Sequence, residues 1–248
     1  METRIVLLPP PGFVPAFGRV TRDRDRWEKL EREACRLRGK VYLADKAIGP
    51  HEIGADGGYR LPIDRSSWQL LSMNGDEVVT ATLRITESPL SMSKRKGRLP
   101  HVDESLARAD LVPWRKLAAE KYLSNVHLRF GDSRPHFYVL GGWASDDTCS
   151  AAAAILALAP WALIRRSRCA CALAICSERH GSHSQLLRTG AVPVYPRNGK
   201  QMYFDPNYGC RVGLVGGEVF SESPFLARAV DRLALKLQDS EIVCADSQ

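Results

Sequence analysis

The sequence predicts an α+β fold of α/β-like character: a mixed central sheet flanked by helices, with an antiparallel N-terminal hairpin and a parallel strand-helix-strand crossover. Three observations carry this. An apolar and aromatic run, Phe137–Leu140 ending in Gly141-Gly142, is followed by Ala- and Leu-rich helix former and then by a second apolar run, Cys169–Cys176. Strands joined by a helical crossover pair in parallel, and strands buried on both faces read as continuous apolar runs rather than alternating ones. Asn74-Gly75 between Ser67–Met73 and Glu77–Ile85 is a hairpin signal. Trp27, Leu30, Ala34, Leu37 and Val41 recur at three and four residues, the period of an amphipathic helix.

In chain order, residues 1–23 hold Pro9-Pro10-Pro11 and no lasting period, and read as an irregular arm; residues 24–248 read as a single domain. The first helix runs from Arg24 to about Leu43, weakened by Gly39. His51–Asp64 is punctuated by Gly54, Gly57, Gly58 and Pro62 and reads as a loop leading into the hairpin. Residues 86–105 are polar and basic loop. Leu106–Tyr122 carries a helical period interrupted at Pro113, which suggests two short helices. After the crossover come a helix at Ser182–Leu187, short runs at Val192–Tyr195 and Gln201–Phe204, a last strand at Tyr208–Val215, and a helix at Phe225–Leu237 opened by Pro224.

The 248 residues suffice for a sizeable core, and 44% hydrophobic with 25% charged residues excludes wholesale disorder. The net charge of +7 favours a polyanionic partner, yet its densest cluster, Lys94-Arg95-Lys96-Gly97-Arg98, reads first as a solvated loop. No helix-turn-helix, RNA-recognition or zinc-finger signature accompanies it, which leaves nucleic acid a weak expectation. Seven cysteines form no CxxC pair and no Cys/His zinc spacing, so buried thiols in a reducing cytoplasm and no metal are expected. The apolar start is too short for a signal segment, and no 18-residue apolar run follows; the expectation is a soluble, cytoplasmic protein with no membrane span.

Leu37-Arg38-x-x-x-Tyr42, Asp64 ahead of the hairpin, and Arg84 in Thr82-Leu83-Arg84-Ile85 stand in an order that resembles the GNAT acyltransferases. Within them, it resembles the branch of acyl-homoserine-lactone synthases and N-acyl amino acid synthases. The resemblance implies a GNAT-type sheet whose two crossover strands splay, with the pantetheine arm of acyl-CoA or an acyl-carrier protein in the slot. No tightly bound cofactor is implied; acyl-CoA or the phosphopantetheine of the carrier is a co-substrate. Leu140, Ala144, Leu173 and Ala174 would line the slot, and Trp143 with Leu140 and Leu173 the acyl pocket. Two departures stand out. Where the lactone synthases carry a Glu and an Arg three residues apart, this chain has Leu140 and Trp143; in place of a Gly-rich diphosphate loop it has Ser145-Asp146-Asp147-Thr148-Cys149-Ser150. Carboxylates beside a diphosphate repel it, which shifts the expectation towards the carrier protein, or towards a chain without activity.

Acyl transfer to an amine needs a base, an oxyanion donor and alignment. The resemblance makes Asp64 and Arg84 catalytic candidates and Arg38, Tyr42, Trp143 and Ser145 substrate-binding ones; His180 joins the catalytic candidates as a base, and Ser182 the substrate-binding ones, because they follow the second crossover strand, where α/β sheets present ligands. The plainer readings stay open: a turn-capping Asp64 ion-paired with Arg84 on the surface, and Ser182 as a helix N-cap beside solvated histidines. The function expected is N-acyl transfer from a thioester to a small amine, the alternative a GNAT-like binding or regulatory module.

Overall fold

The computed structural model describes residues 4–13, 18–90, 113–146, 150–179, 181–194, 202–205, 209–219 and 224–245. The Lys94–Arg98 cluster, residues 106–112, Asp147 and His180 lie outside them. The elements begin with β1 (Arg4–Leu8), β2 (Arg19–Arg22), α1 (Arg24–Ala44), β3 (Trp68–Met73) and β4 (Val79–Pro89). They continue with α2 (Pro113–Phe130), β5 (His136–Ser145), α3 (Ser150–Arg166), β6 (Cys169–Ser177) and α4 (Ser182–Arg188). The remainder are β7 (Val192–Pro193), β8 (Tyr203–Asp205), β9 (Cys210–Glu218), α5 (Ala227–Gln238) and β10 (Glu241–Cys244). The fold is α+β, as expected, and the strand-helix-strand order of β5, α3 and β6 is present. Among the described residues no helix is long and apolar enough to cross a membrane.

The chain divides into two compact units. The first holds Met1–Thr86, Leu140–Ala162 and Ala229–Gln248. Its sheet is mixed: β1 pairs antiparallel with β3 and parallel with β10, β10 pairs parallel with β2, and β3 pairs antiparallel with β4. Two of these strands fall in the expected irregular arm. Arg4–Leu8 is too short to show a period, but it is hydrogen-bonded along both edges and buried from Ile5 onward. Pairing partners distant in sequence, rather than local pattern, make it a strand.

The hairpin forms where expected, with a different turn. Asn74 and Gly75 open a five-residue loop in which the Asn74 side-chain oxygen accepts from the Asp76 and Val78 amides, both at 3.0 Å. The left-handed residue is Glu77, φ 59°. Helix α1 starts at the Asp23 cap, whose carboxylate accepts from the Arg26 amide at 2.9 Å. Its Leu30, Ala34 and Leu37 pack on Val6, Leu8, Leu71, Met73, Val79 and Val243 of the sheet.

Glu241 ties the C-terminal strand to this unit. It accepts from Arg26 Nη1 at 2.6 Å and Nη2 at 3.1 Å, from Thr21 Oγ1 at 3.2 Å, and from Arg4. Burial alone would raise its carboxyl; the bonds from Arg26 and Arg4 outweigh this and hold it below the ordinary value of 4.5. A carboxyl depressed on folding stabilises above its unfolded pKa, and that contribution is lost as pH falls through the folded one. Urea titrations of wild type and Glu241→Gln are therefore expected to differ most above about pH 5 and to converge as pH falls below about 4. A gap independent of pH would refute the assignment.

The second unit holds Glu87–Val139 and Leu163–Arg228. β6 pairs antiparallel with β9 from Cys171 opposite Glu218 to Ser177 opposite Val212, and β7 and β8 also pair with β9. Its core gathers Ala118, Ala119, Leu123 and Val126 of α2 with Phe137, Val139, Leu173 and Leu214. Pro113, where the helical period is interrupted, opens this helix, at a position where its missing amide hydrogen would have no partner anyway; the expected helix ahead of it lies outside the described residues. Arg134 Nη1 donates to the carbonyls of Ile164, Ser167 and Cys169 at 3.0, 3.2 and 2.8 Å, closing the C-terminus of α3 and fixing the entry to β6.

Candidate active site

Arg38 lies on the buried stripe of α1, one turn beyond Ala34, and its side chain is 1% exposed. Its charge needs a partner there, and the partner is Asp64. Asp64 sits in a 3₁₀ turn, Pro62–Ser66, and caps that turn by accepting the Leu61 amide on Oδ2 at 2.7 Å. Arg38 Nη1 donates to Oδ1 at 2.9 Å and Nη2 to Oδ2 at 3.1 Å. Arg84, near the middle of β4, donates from Nη1 to Oδ1 at 3.0 Å. Two guanidiniums thus share one carboxylate, and the three groups sum to one positive charge away from water.

Burial would raise the Asp64 carboxyl, but the charge and hydrogen bonds of Arg38, then the charge of Arg84, hold it below the carboxylate range. Burial opposes the charged form of Arg38, and Asp64 more than restores it. With four bonds accepted, Asp64 has little capacity left to take a proton, so its chemistry is to hold the two arginines. The turn-capping reading of Asp64 is thus met, but the ion pair is buried rather than on the surface.

Cys35 extends the cluster. Its Sγ accepts from Arg38 Nη2 at 3.0 Å, and its thiol donates to Glu31 Oε1 at 3.0 Å. Burial pushes this thiol up to about 12, against the pull of Arg38, so it stays protonated at neutral pH. The loop at 53–60 lies along this part of α1. Tyr59 donates its amide to the Cys35 carbonyl at 3.0 Å, Arg36 Nε donates to the Asp56 carbonyl at 2.8 Å, and the Tyr59 ring stands 5.6 Å from that of Tyr42.

Opposite the arginines, β5 presents Gly141 and Gly142. A Cβ at Gly141 would come within 2.5 Å of Arg84 Nη2; one at Gly142, which has φ +60°, would lie 3.0 Å from Arg38 Nη1 and 3.1 Å from Arg84 Cβ. The two glycines let main chain lie directly on the guanidiniums, so β5 continues through them to Ser145 instead of ending there.

The expected site residues are thus distributed unevenly. Arg38, Asp64 and Arg84 meet, and Tyr42 is half-buried beside them. Leu140 is buried; Trp143 and Ser145 are half-buried on β5. Ala144 packs in the core against α1, and Leu173 in the core of the second unit, where Ala174 is also buried. Ser182 is not a helix cap: Gly181 holds that position, and Ser182 Oγ accepts the Ser177 amide at 3.0 Å and donates to its carbonyl at 3.2 Å. Asp146, from the acidic loop, lies 3.5 Å from Lys40 Nζ. Cys35, Gly141 and Gly142 were not legible as members of the cluster; the double glycine inside an apolar run was their signal.

No family model matches the sequence, and no curated protein matches it. Solved structures do. The CoA-dependent acyl-homoserine lactone synthase BjaI, solved with SAM and isopentyl-CoA, is similar at a TM-score of 0.54 and 14% identity, over 100% of this chain and 95% of BjaI. TofI, solved with an inhibitor and MTA, gives 0.54 and 15% over 93% of this chain and 97% of TofI. The acyl-homoserine lactone synthase LasI gives 0.51 and 14% over 88% and 90%. The fold of this chain is that of these GNAT-like synthases.

Proposed function

We propose that the protein is an N-acyltransferase that moves an acyl group from an acyl-carrier-protein or acyl-CoA thioester to the amine of a small acceptor such as an amino acid. The observation that supports this most is the buried Arg38–Asp64–Arg84 cluster, which keeps one positive charge in excess under the glycine backbone of β5. In the fold of the synthases, that excess favours an anionic or strongly polar group of the acceptor, and the acceptor's amine is thereby aligned for attack. The amine adds to the thioester carbonyl, the tetrahedral oxyanion collapses, and the thiol leaves with the proton the amine has lost. Arg84, less buried than Arg38 and bound to Asp64 through one nitrogen only, is the proposed acceptor-binding group.

A second reading, a binding module without turnover, draws on one observation. Asp64 is committed to the arginines, and β5 offers Leu140, Gly141, Gly142 and Trp143 where a base would be useful. Thiol release from acyl-CoA and acyl-carrier-protein thioesters with a panel of amines separates the two. Acyl transfer predicts amine-dependent release, lowered at least a hundred-fold in Arg84→Met at unchanged thioester affinity. Thioester binding without release from any amine would favour the module.

A further inference from the structure

The side chains of β4 alternate strictly: Thr80, Thr82, Arg84 and Thr86 on one face, Ala81, Leu83 and Ile85 on the other. Alternation of this kind ordinarily marks a strand with its polar face in water. Here that face is buried, with Thr82 at 0% and Arg84 and Thr86 each at 8% exposure. Gln69 of β3, 3% exposed, stands directly opposite Arg84, and Leu71 opposite Thr82. Leu71 packs with Leu30, Ala34 and Leu37, so the polar face is turned towards α1.

The two ends of this polar stripe are satisfied. Thr86 Oγ1 lies 2.7 Å from Ser67 Oγ, and Thr80 Oγ1 donates to the Ser72 carbonyl at 3.1 Å. The middle is not. Gln69 Oε1, Thr82 Oγ1, Arg84 Nε and Arg38 Nε are all buried, and none has a hydrogen-bond partner among the described residues. Buried polar atoms are nearly always paired, and leaving one unpaired costs the fold about 1–3 kcal/mol. Leucine and valine, close in shape to Gln69 and Thr82, would remove that cost. Two orphaned N–H donors, an orphaned carbonyl oxygen and a hydroxyl that both gives and accepts therefore lie in one layer between α1 and the sheet.

We propose that Gln69 and Thr82 complete, with Arg38 and Arg84, a subsite for a small group that bears an anionic oxygen and a hydrogen-bond donor close together. The oxygen takes the Nε hydrogens of the arginines, and the donor is received by Gln69 Oε1 or Thr82 Oγ1. This rests on the acyl-transfer reading only in assigning the group to the acceptor, for which Gln69 and Thr82 are then specificity residues. Ser72 Oγ is orphaned too, but on the opposite face of β3, and serves as a control.

The test compares wild type, Gln69→Leu, Thr82→Val, the double variant and Ser72→Ala. Thermal unfolding is measured alone and with glycine, acetate or ethylammonium as probes, together with acceptor and thioester KM in thiol release. The double variant is expected to be as stable as wild type or more so. It should lack the extra Tm increment that glycine gives wild type, and raise the acceptor KM about ten-fold or more at unchanged thioester KM, the consequence of about 1.4 kcal/mol of lost binding. Ser72→Ala should keep the glycine increment. If the double variant is less stable and responds to glycine as wild type does, the polar layer is structural and the subsite is overturned. If wild type releases no thiol with any amine, acyl transfer fails, and the glycine increment alone decides: lost in the double variant it supports the subsite, absent from wild type it refutes it.

Discussion

Asp64→Ala is expected to destabilise the protein by about 3–5 kcal/mol, because it strips the counter-ion from buried guanidiniums without removing them. Arg38 is 1% exposed, and its remaining side-chain acceptor would be the Cys35 sulfur. Arg84 loses its side-chain acceptor among the described residues, and the Leu61 amide loses its cap. Asp64→Asn keeps an acceptor oxygen and the volume, and should fall between alanine and wild type. The triple replacement Arg38→Met, Asp64→Leu, Arg84→Met removes every charge together; it is expected to be more stable than Asp64→Ala while equally inactive. Urea unfolding measures all three. An Asp64→Ala loss under 1 kcal/mol would mean that water already reaches the guanidiniums, which contradicts the closed cluster. The low Asp64 carboxyl adds a pH signature: its contribution is complete above the unfolded value near 4 and is lost as pH falls through the folded one.

Gly39→Ala should reverse the sign that helix propensity assigns it. Alanine in a helix is better than glycine by about 1 kcal/mol. At position 39, however, a Cβ would lie 2.4 Å from the Gly57 carbonyl oxygen, 3.2 Å from Ile53 Cδ1 and 3.3 Å from the Tyr59 nitrogen. Two of these are main-chain atoms of the loop clasped to α1, so the loop must move away and weaken the Tyr59 bond to the Cys35 carbonyl. Overpacking of this kind costs about 1–3 kcal/mol, which exceeds the propensity gain. Gly57→Ala is the companion: nothing lies within 4 Å of its Cβ, and only its φ of +81° opposes the change. Its loss is expected to be smaller, about 1 kcal/mol. A stabilised Gly39→Ala in urea unfolding would show that the loop does not lie on the helix.

These two glycine contexts illustrate what was legible from sequence. Helix α1 was visible within a residue or two, because its apolar stripe is long and periodic; the hairpin and the crossover elements were visible as well, though β4 runs on to Pro89 and β5 to Ser145. Gly39 read as a flaw in a helix because the loop that occupies the missing Cβ arrives from 18 residues further along. β1, β2 and β10 were missed for the same reason: four or five residues show no period, and their pairing partners lie far away in sequence. The arginines and the aspartate of the site were identified through a resemblance of order and spacing, but their burial was not. Gln69 and Thr82 were not identified, since a polar alternation such as Thr80-Ala81-Thr82-Leu83-Arg84 reads as a solvent face until the helix that covers it is known.

The position of β10 bears on how the chain is made. It inserts between β1 and β2, pairing Glu241 with Arg19 on one side and with Val6 on the other, so these early strands wait for residues more than 200 positions downstream. Until residues 241–244 pair, β1 keeps one edge open even once β3 has joined the other, and among the described residues β2 has no strand to join. A chain lacking residues 241–244 therefore offers a sticky edge to other copies and to chaperones.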